Sequence, residues 1–367
     1  MKETIVERME RIDAKRKIAD FNSKMKMPYD FKIKYATIRA REFVEECDRR
    51  GLNYHVSVGG LDSITLLLFL RSLHIDCPAI SVSYLEDKSI QIIHKQLGVE
   101  CVKPIVKEVR PDGREVMWTK QAIIQECGFP VLSKEIANKI EYLQNPTEKN
   151  STIRHAILTG ETGDFGGHRT GTRMKLAQKW LDRFGGADPE GAALGYAAAP
   201  FKVSAKCCYY LKERPCDLWA KEHNSAAFVG LMASEGGRRE KSLKLNGCNY
   251  FGEKIIRSAP FAIFERQDIL QLALDLNVPV PSIYGEIVRD ADDVLHTTKA
   301  QRTGCAMCGF GVHIQKRPHK FDILRKEHPE EWHRLMYDLV TDENGVRYGW
   351  GRVLDYVGVK WEDELLF

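Results

Sequence analysis

Residues 55–70 read HVSVGGLDSITLLLFL: a short β-like run, a glycine pair, then apolar residues at helical spacing. A hydrophobic period that changes at a Gly-Gly turn predicts a strand, a tight loop and a helix over 62–73. The N–H groups at the head of such a helix, with the positive end of its dipole, favour an anion, and glycines let the backbone approach it closely. No third glycine follows at the dinucleotide spacing, and no Gly-Lys-Ser/Thr closes a Walker loop. Taken alone, GGLDS also reads as a plain strand–turn–helix with Asp62 as the cap.

Working outward, short β-rich runs alternate with helical ones: YHVSV, the helix after it, PAISVSYL, SIQIIHKQLG and CVKPIVKEV. That alternation predicts an α/β protein with a mostly parallel sheet covered on both faces. Residues 1–50 read as an N-terminal helical attachment broken at Pro28 and ended at Gly51. Residues 51–312 read as the main domain, with a Gly- and Thr-rich insertion at about 145–200 around one amphipathic helix near Met174–Phe184. Beyond it a strand over Ala227–Met232 is expected, and then a strand-like start to FAIFERQDILQLALDLNVPVP that turns helical. Residues 313–367 read as a mixed C-terminal extension, helical at HPEEWHRLMYDLV and turn-rich at GVRYGWGRVLDYVGVKW.

The 367 residues suffice for a sizeable core. Charged residues make up 29% of them, and no apolar run is long enough to span a bilayer. The charged N-terminus has no apolar signal core, so the expectation is a cytoplasmic protein without a membrane partner. A net charge of +4 permits a nucleic-acid partner and does not imply one.

The loop Val58-Gly59-Gly60-Leu61-Asp62-Ser63 resembles the pyrophosphate loop, Ser-Gly-Gly-x-Asp-Ser, of the adenine nucleotide α-hydrolase-like superfamily, which includes ATP pyrophosphatases, tRNA-thiolating enzymes and phosphoadenosine phosphosulfate (PAPS) reductases. The resemblance implies a doubly wound sheet with this loop after the first strand. Val58 stands where the family has serine, and Ser57 would point to the other face of the strand. Phosphate binding would then fall to backbone N–H groups, Asp62 and Ser63.

The ten cysteines form two notable groups: adjacent Cys207 and Cys208 in SAKCCYYLKERP, and Cys305 and Cys308 in RTGCAMCGFG. Cys-x-x-Cys lets two thiolates converge on one centre, and a second pair completes four sulfurs for zinc or an iron–sulfur cluster. Side chains of adjacent cysteines diverge, which suits a larger cluster better than a single small ion. A Cys-Cys pair followed about a hundred residues later by Cys-x-x-Cys resembles the [4Fe-4S] ligand set of the adenylylsulfate (APS) reductase branch of the same superfamily. Cys248 is an alternative ligand, while Cys47, Cys77, Cys101, Cys127 and Cys216 read as packing residues. Zinc is the other physical reading of the four thiols, and separate core thiols the bland one.

LMASEGGRRE resembles that branch's nucleotide-binding Arg/Ser/Arg segment, which implicates Glu235, Arg238 and Arg239; a solvated charge run is the plain alternative. APFAIFERQDILQLALDLNVPVPSIYG resembles its Pro-Leu-x-x-Trp-x-x-x-Asp-Ile helix and the proline-tyrosine turn before the final cysteines. The likeness covers roughly residues 52–312, with a gap at the insertion. Sulfonucleotide reductases attack sulfate with a cysteine in the C-terminal tail, and here the last cysteine is Cys308. SVSYLEDKS also replaces the reductases' Asp-Thr-Gly type turn.

The expectation is therefore an enzyme of the PAPS reductase family with an iron–sulfur cluster, using ATP, with Mg2+ as its companion, in adenylation and sulfur transfer. The acceptor is left open among RNA, DNA and a small molecule, with a protein as sulfur donor or reductant. Asp62, Arg238 and Arg239 are the catalytic candidates. A sulfonucleotide (PAPS or APS) reductase borrowing Cys248 or a partner's cysteine is the second reading. A non-catalytic nucleotide sensor or nucleic-acid-binding module is the third. His168, Arg169, Arg173 and Lys175 in the insertion read as a substrate loop or a linker, Lys134 as a nucleotide contact or a surface lysine, and His155, His296, His313 and His319 as structural.

Overall fold

The structure is a computed structural model that describes residues 5–161, 174–253, 255–305 and 308–362. It is mixed α/β, and the chain divides into two compact units, 1–103 with 215–306 and 104–214 with 307–367. No helix among the described residues is long and apolar enough to cross a membrane.

The first unit opens with helices α1 (Ile5–Met25) and α2 (Tyr29–Arg49), parted at Pro28 as expected. There follow β1 (Asn53–Ser57), α3 (Leu61–Ser72), β2 (Ala79–Ser81), α4 (Lys88–Gln96) and β3 (Glu100–Cys101). After the chain returns come α5 (Arg214–Glu222), β4 (Ser225–Val229), α6 (Gly237–Asn246), β5 (Asn249–Phe251), β6 (Ile256–Ser258) and α7 (Arg266–Asp275). The sheet order is β3-β2-β1-β4-β6-β5, parallel throughout except for β5, which runs antiparallel at the edge. Strand order thus grows one way from β1 through β2 and the other way through β4, so the crevice beyond the C-terminal ends of β1 and β4 lies at the reversal.

Helix α3 is buried nearly all round, through Leu61, Ile64, Thr65, Leu66, Leu67, Phe69 and Leu70, which explains a run too apolar for a surface helix. α2 buries Ala36, Ala40, Phe43 and Cys47 in the same core, where Phe43 meets Phe228 edge-on at 4.8 Å. A salt bridge from Lys32 to Asp268 (2.6 Å), both nearly buried, ties α2 to the start of α7. The N-terminal helices are therefore part of this unit and not an attachment to it.

The second unit has its own core, in which Phe129, Phe184, Phe201, Phe321, Leu335, Trp350 and Leu354 meet. Trp350 packs edge-on to Phe129 at 5.0 Å and lies where a Cβ on Gly309 would come within 2.4 Å of its ring. Phe321, Leu335, Trp350 and Leu354 consequently complete a core begun by Phe129, Phe184 and Phe201, so the described part of the C-terminal stretch is not an extension of its own. The supposed turn-rich tail holds a helix, Trp350–Val357, whose buried face alternates with polar residues. The expected strand around Cys101–Val109 is split at Pro104, which has no N–H for a ladder. Glu100–Cys101 stays in the sheet, and Val106–Val109 forms an antiparallel hairpin with Glu115–Met117. Phe261–Phe264 is a buried turn and not a strand. The amphipathic helix of the insertion spans Gln178–Phe184, preceded by a helix over Ser151–Thr159.

On β1, His55 is 1% exposed, hydrogen-bonded through Nδ1 to Ser225 Oγ (2.8 Å) and packed against Trp219. Burial pushes its pKa down to about 4. Between about pH 6.5 and 4 the unfolded chain binds a proton that the folded one refuses, so stability falls as pH falls through this window. Denaturant titrations should show a loss of up to about 3 kcal/mol from this group. His55→Phe should flatten that pH dependence, and an unchanged slope would exclude His55 as its source.

Candidate functional site

The loop between β1 and α3 is built from the sheet outward. Val58 N donates to Ile80 O at 2.8 Å and its side chain is buried, so Val58 extends the ladder and offers a ligand neither a donor nor a side chain. A buried apolar side chain suits that position, which accounts for valine where the resemblance calls for serine. Gly59 N donates to Ser63 Oγ (2.7 Å), and Ser63 Oγ donates to Gly60 O (2.9 Å), closing the loop on itself. Gly60 is the N-cap of α3 and supplies no side chain, so Asp62 is not the cap.

Tyr284 stands in for the missing cap. Its hydroxyl accepts from Leu61 N at 3.1 Å and shares a 2.7 Å hydrogen bond with Thr303 Oγ1. The Leu61 side chain is buried in the core. The N–H groups of Gly60 and Asp62 have no hydrogen-bond partner among the described residues. Two unengaged amides at the head of a buried helix are an anion-binding arrangement.

His94 holds this arrangement from the other side. Its Nε2 lies 2.8 Å from Gly59 O and its Nδ1 2.8 Å from Ser83 Oγ. A carbonyl only accepts, so Nε2 carries the hydrogen and Nδ1 accepts from the Ser83 hydroxyl. Burial lowers the His94 pKa, which keeps the ring neutral. Because a trans peptide points its C=O and N–H oppositely, fixing Gly59 O also fixes the direction of the Gly60 N–H.

Charge surrounds the loop in pairs. Asp62 Oδ1 is ion-paired with Arg266 Nη1, at the start of α7; burial raises the Asp62 pKa while the guanidinium opposes that rise. Glu235, its side chain 9% exposed, binds Arg239 Nη1 at 2.6 Å and lies 3.6 Å from Arg302 Nη1. In this structure Asp62 and Glu235 therefore act as anchors for arginines. An anionic carboxylate would repel a phosphate; the guanidinium it positions would attract one. The Arg238 side chain lies outside the described residues.

The structure thus brings the predicted loop together with Glu235 and Arg239, and adds His94, Arg266, Tyr284, Arg302 and Thr303. Of these only Tyr284 carried a sequence signal, as part of the proline-tyrosine turn.

The cysteines fall on both sides of the unit boundary, Cys305 in the first and Cys207, Cys208 and Cys308 in the second. In the second unit residues 129–132 support two of the cysteine-bearing segments. Phe129 exchanges backbone hydrogen bonds with Lys202 and Ser204 just before Cys207, and Val131–Leu132 pairs with Gly309–Phe310 just after Cys308. Cys207 and Cys208 enter a π-helical turn, Tyr209–Glu213, immediately before Pro215, whose ring would crowd a regular α-turn. Four thiolates are the soft donor set an iron–sulfur cluster takes. Among the described residues no group of three or more His, Cys, Asp or Glu is gathered around one point for a metal. Cys248 is buried in the first core and lies 3.7 Å from Tyr35 Oη, with its pKa pushed up to about 11, so here it is a packing thiol. Cys101 is exposed at the sheet edge, contrary to a packing role.

Lys134 is an exposed lysine paired with Glu213. His155 lies between Glu190 and Glu161, at 2.8 and 3.1 Å. His168, Arg169 and Arg173 lie outside the described residues, and Lys175 is exposed.

A Cβ on Gly60 would come within 2.3 Å of the Tyr284 hydroxyl, whereas one on Gly59 would make only ordinary contacts at 3.8 Å. Gly60→Ala should lower the melting temperature. Gly59→Ala should melt like wild type yet weaken ATP in a titration, since only a ligand would crowd it. Full affinity in Gly59→Ala would show that no phosphate approaches that residue.

Comparison of the chain with protein-family models, with curated proteins and with solved structures finds no match.

Proposed function

We propose that the first unit is a nucleotide-binding domain of the adenine nucleotide α-hydrolase-like kind, doubly wound about β1, and that it holds ATP phosphates at Gly59–Ser63 for adenylation coupled to sulfur transfer. The observation that carries this reading is the pair of amides, Gly60 and Asp62, left without partners at the C-terminal edge of the parallel strands. Ligands in open α/β sheets sit at this edge, where strand order reverses.

The chemistry asked of the chain is mostly electrostatic. An acceptor oxygen attacks the α-phosphorus, the bond to the bridging oxygen breaks, and pyrophosphate leaves with the electron pair. Attack by a sulfur nucleophile on the activated carbon then expels AMP. Charge grows on the departing pyrophosphate, and fixed donors aimed at such charge lower the barrier. Gly60 N–H and Asp62 N–H supply two donors, the first aimed by His94 through the Gly59 carbonyl. Arg266 and Arg239 supply cations kept in place by Asp62 and Glu235. Mg2+ would accompany the nucleotide.

Cys207, Cys208, Cys305 and Cys308 are proposed as iron–sulfur ligands on their spacing and donor chemistry. A [4Fe-4S] cluster there would supply a site for sulfur or electron transfer, and no step above passes through it.

Competitive equilibrium binding of ATP, APS and PAPS to anaerobically purified protein tests the reading. ATP is expected to bind tightest, and preference for a sulfonucleotide would turn the assignment toward reduction. Asp62→Ala should weaken ATP by roughly tenfold or more through loss of the Arg266 anchor; unchanged affinity would remove the loop from the site. Cys305→Ala with Cys308→Ala should strip bound iron, and full retention would show other ligands.

A further inference from the structure

We propose that Thr303, acting through Tyr284, is a positioning residue that couples nucleotide occupancy of the Gly59–Ser63 loop to the state of Cys305. The inference rests on the nucleotide reading of that loop. It is carried by three consecutive residues, Gln301, Arg302 and Thr303, each tied by a different bond to the machinery around the loop.

Gln301 O accepts from Arg266 Nη2 at 3.1 Å, and the same guanidinium is paired with Asp62. Arg302 lies 3.6 Å from Glu235, the carboxylate that holds Arg239. Thr303 Oγ1 shares its 2.7 Å hydrogen bond with Tyr284 Oη, which holds Leu61 N. Thr303 Oγ1 and the Tyr284 hydroxyl also stand 3.1 and 2.3 Å from the place a Cβ on Gly60 would take.

Leu61 N–H lies between the Gly60 and Asp62 amides, the two without partners. A phosphate drawn onto those amides fixes the peptides on either side of the Gly60–Leu61 peptide, whose N–H carries the tyrosine hydroxyl, and so fixes that hydroxyl. Thr303 is bonded to that hydroxyl, and Cys305 follows two residues later, within about 7 Å of chain. A ligand that orders the loop therefore orders the segment carrying Cys305. Linkage makes the effect reciprocal: whatever binds or modifies Cys305 changes nucleotide affinity by the same factor.

The test uses the full-length chain, freed of bound metal with a chelator and kept reduced. Alkylation of Cys305 by iodoacetamide is followed by peptide mass spectrometry, with and without saturating ATP, alongside ATP affinity. Wild type should alkylate at Cys305 roughly threefold or more slowly with ATP present. Thr303→Val, which keeps the shape and loses the hydroxyl, should bind ATP roughly two- to tenfold more weakly and lose the protection. Thr303→Ser should restore both.

ATP binding by wild type with an unchanged Cys305 rate would overturn the coupling and leave the nucleotide site standing. Thr303→Val indistinguishable from wild type in both measurements would overturn the role of Thr303. Failure of wild type to bind any adenine nucleotide would remove the nucleotide reading and this inference together.

Discussion

β1 is hydrogen-bonded on both sides, to β2 and to β4, and everything at the candidate site follows from that pairing. Five residues in register with Ser225–Val229 place Ser57 at the sheet's C-terminal edge, and Val58 adds one more bond to Ile80 before the chain must leave. A chain leaving a central parallel strand has little room, because α3 must return over a packed face. The loop is therefore short, and its carbonyls and amides find internal partners where they can: Ser63 Oγ, His94 and Tyr284. What remains unpaired is left so by construction, since the first amides of a helix have no partner of their own.

The charges around the loop follow a second rule. Two guanidiniums near α3 are held by carboxylates: Arg266 by Asp62, 204 residues earlier, and Arg239 by Glu235, four residues earlier. The pairing limits the wandering of long side chains and lowers the local excess of positive charge before a ligand arrives. An anion entering this setting meets pre-placed cations, at the expense of competing with their carboxylates.

How much of this was legible depends on sequence distance. The strand, the glycine turn, Ser63 and the helix are local, so hydrophobic period and turn chemistry reveal them within sixteen residues. His94 lies 35 residues from the carbonyl it holds, and Tyr284 lies 223 residues from the amide it caps. A lone histidine in SIQIIHKQLG and a tyrosine in PSIYG carry no periodic signal that assigns them partners. The tail misled for a related reason. Glycines at 345, 349, 351 and 358 suggested turns, yet two of them sit where a Cβ would strike the backbone at Leu335 or the ring of Trp361, so they mark close packing around a helix. Pro104, inside the stretch CVKPIVKEV expected as one strand, is where the chain passes from one unit to the other.

The second unit's core is assembled from two stretches separated by about ninety residues of the first unit, and the sheet of the first unit is itself interrupted by the second. During synthesis β1, β2 and β3 emerge long before β4, which pairs with β1 along its whole length. Phe129, Phe184 and Phe201 emerge well before the rings that pack against them, Trp350 on Phe129 and Tyr356 on Phe184 and Phe201. Neither core can close from the N-terminus onward, and both wait with apolar surface exposed for late residues to arrive. Long-range pairing of this kind slows folding and exposes intermediates to aggregation. The nascent chain is thus one for which a chaperone or slow translation would matter more than for a protein of equal size whose units follow one another along the sequence.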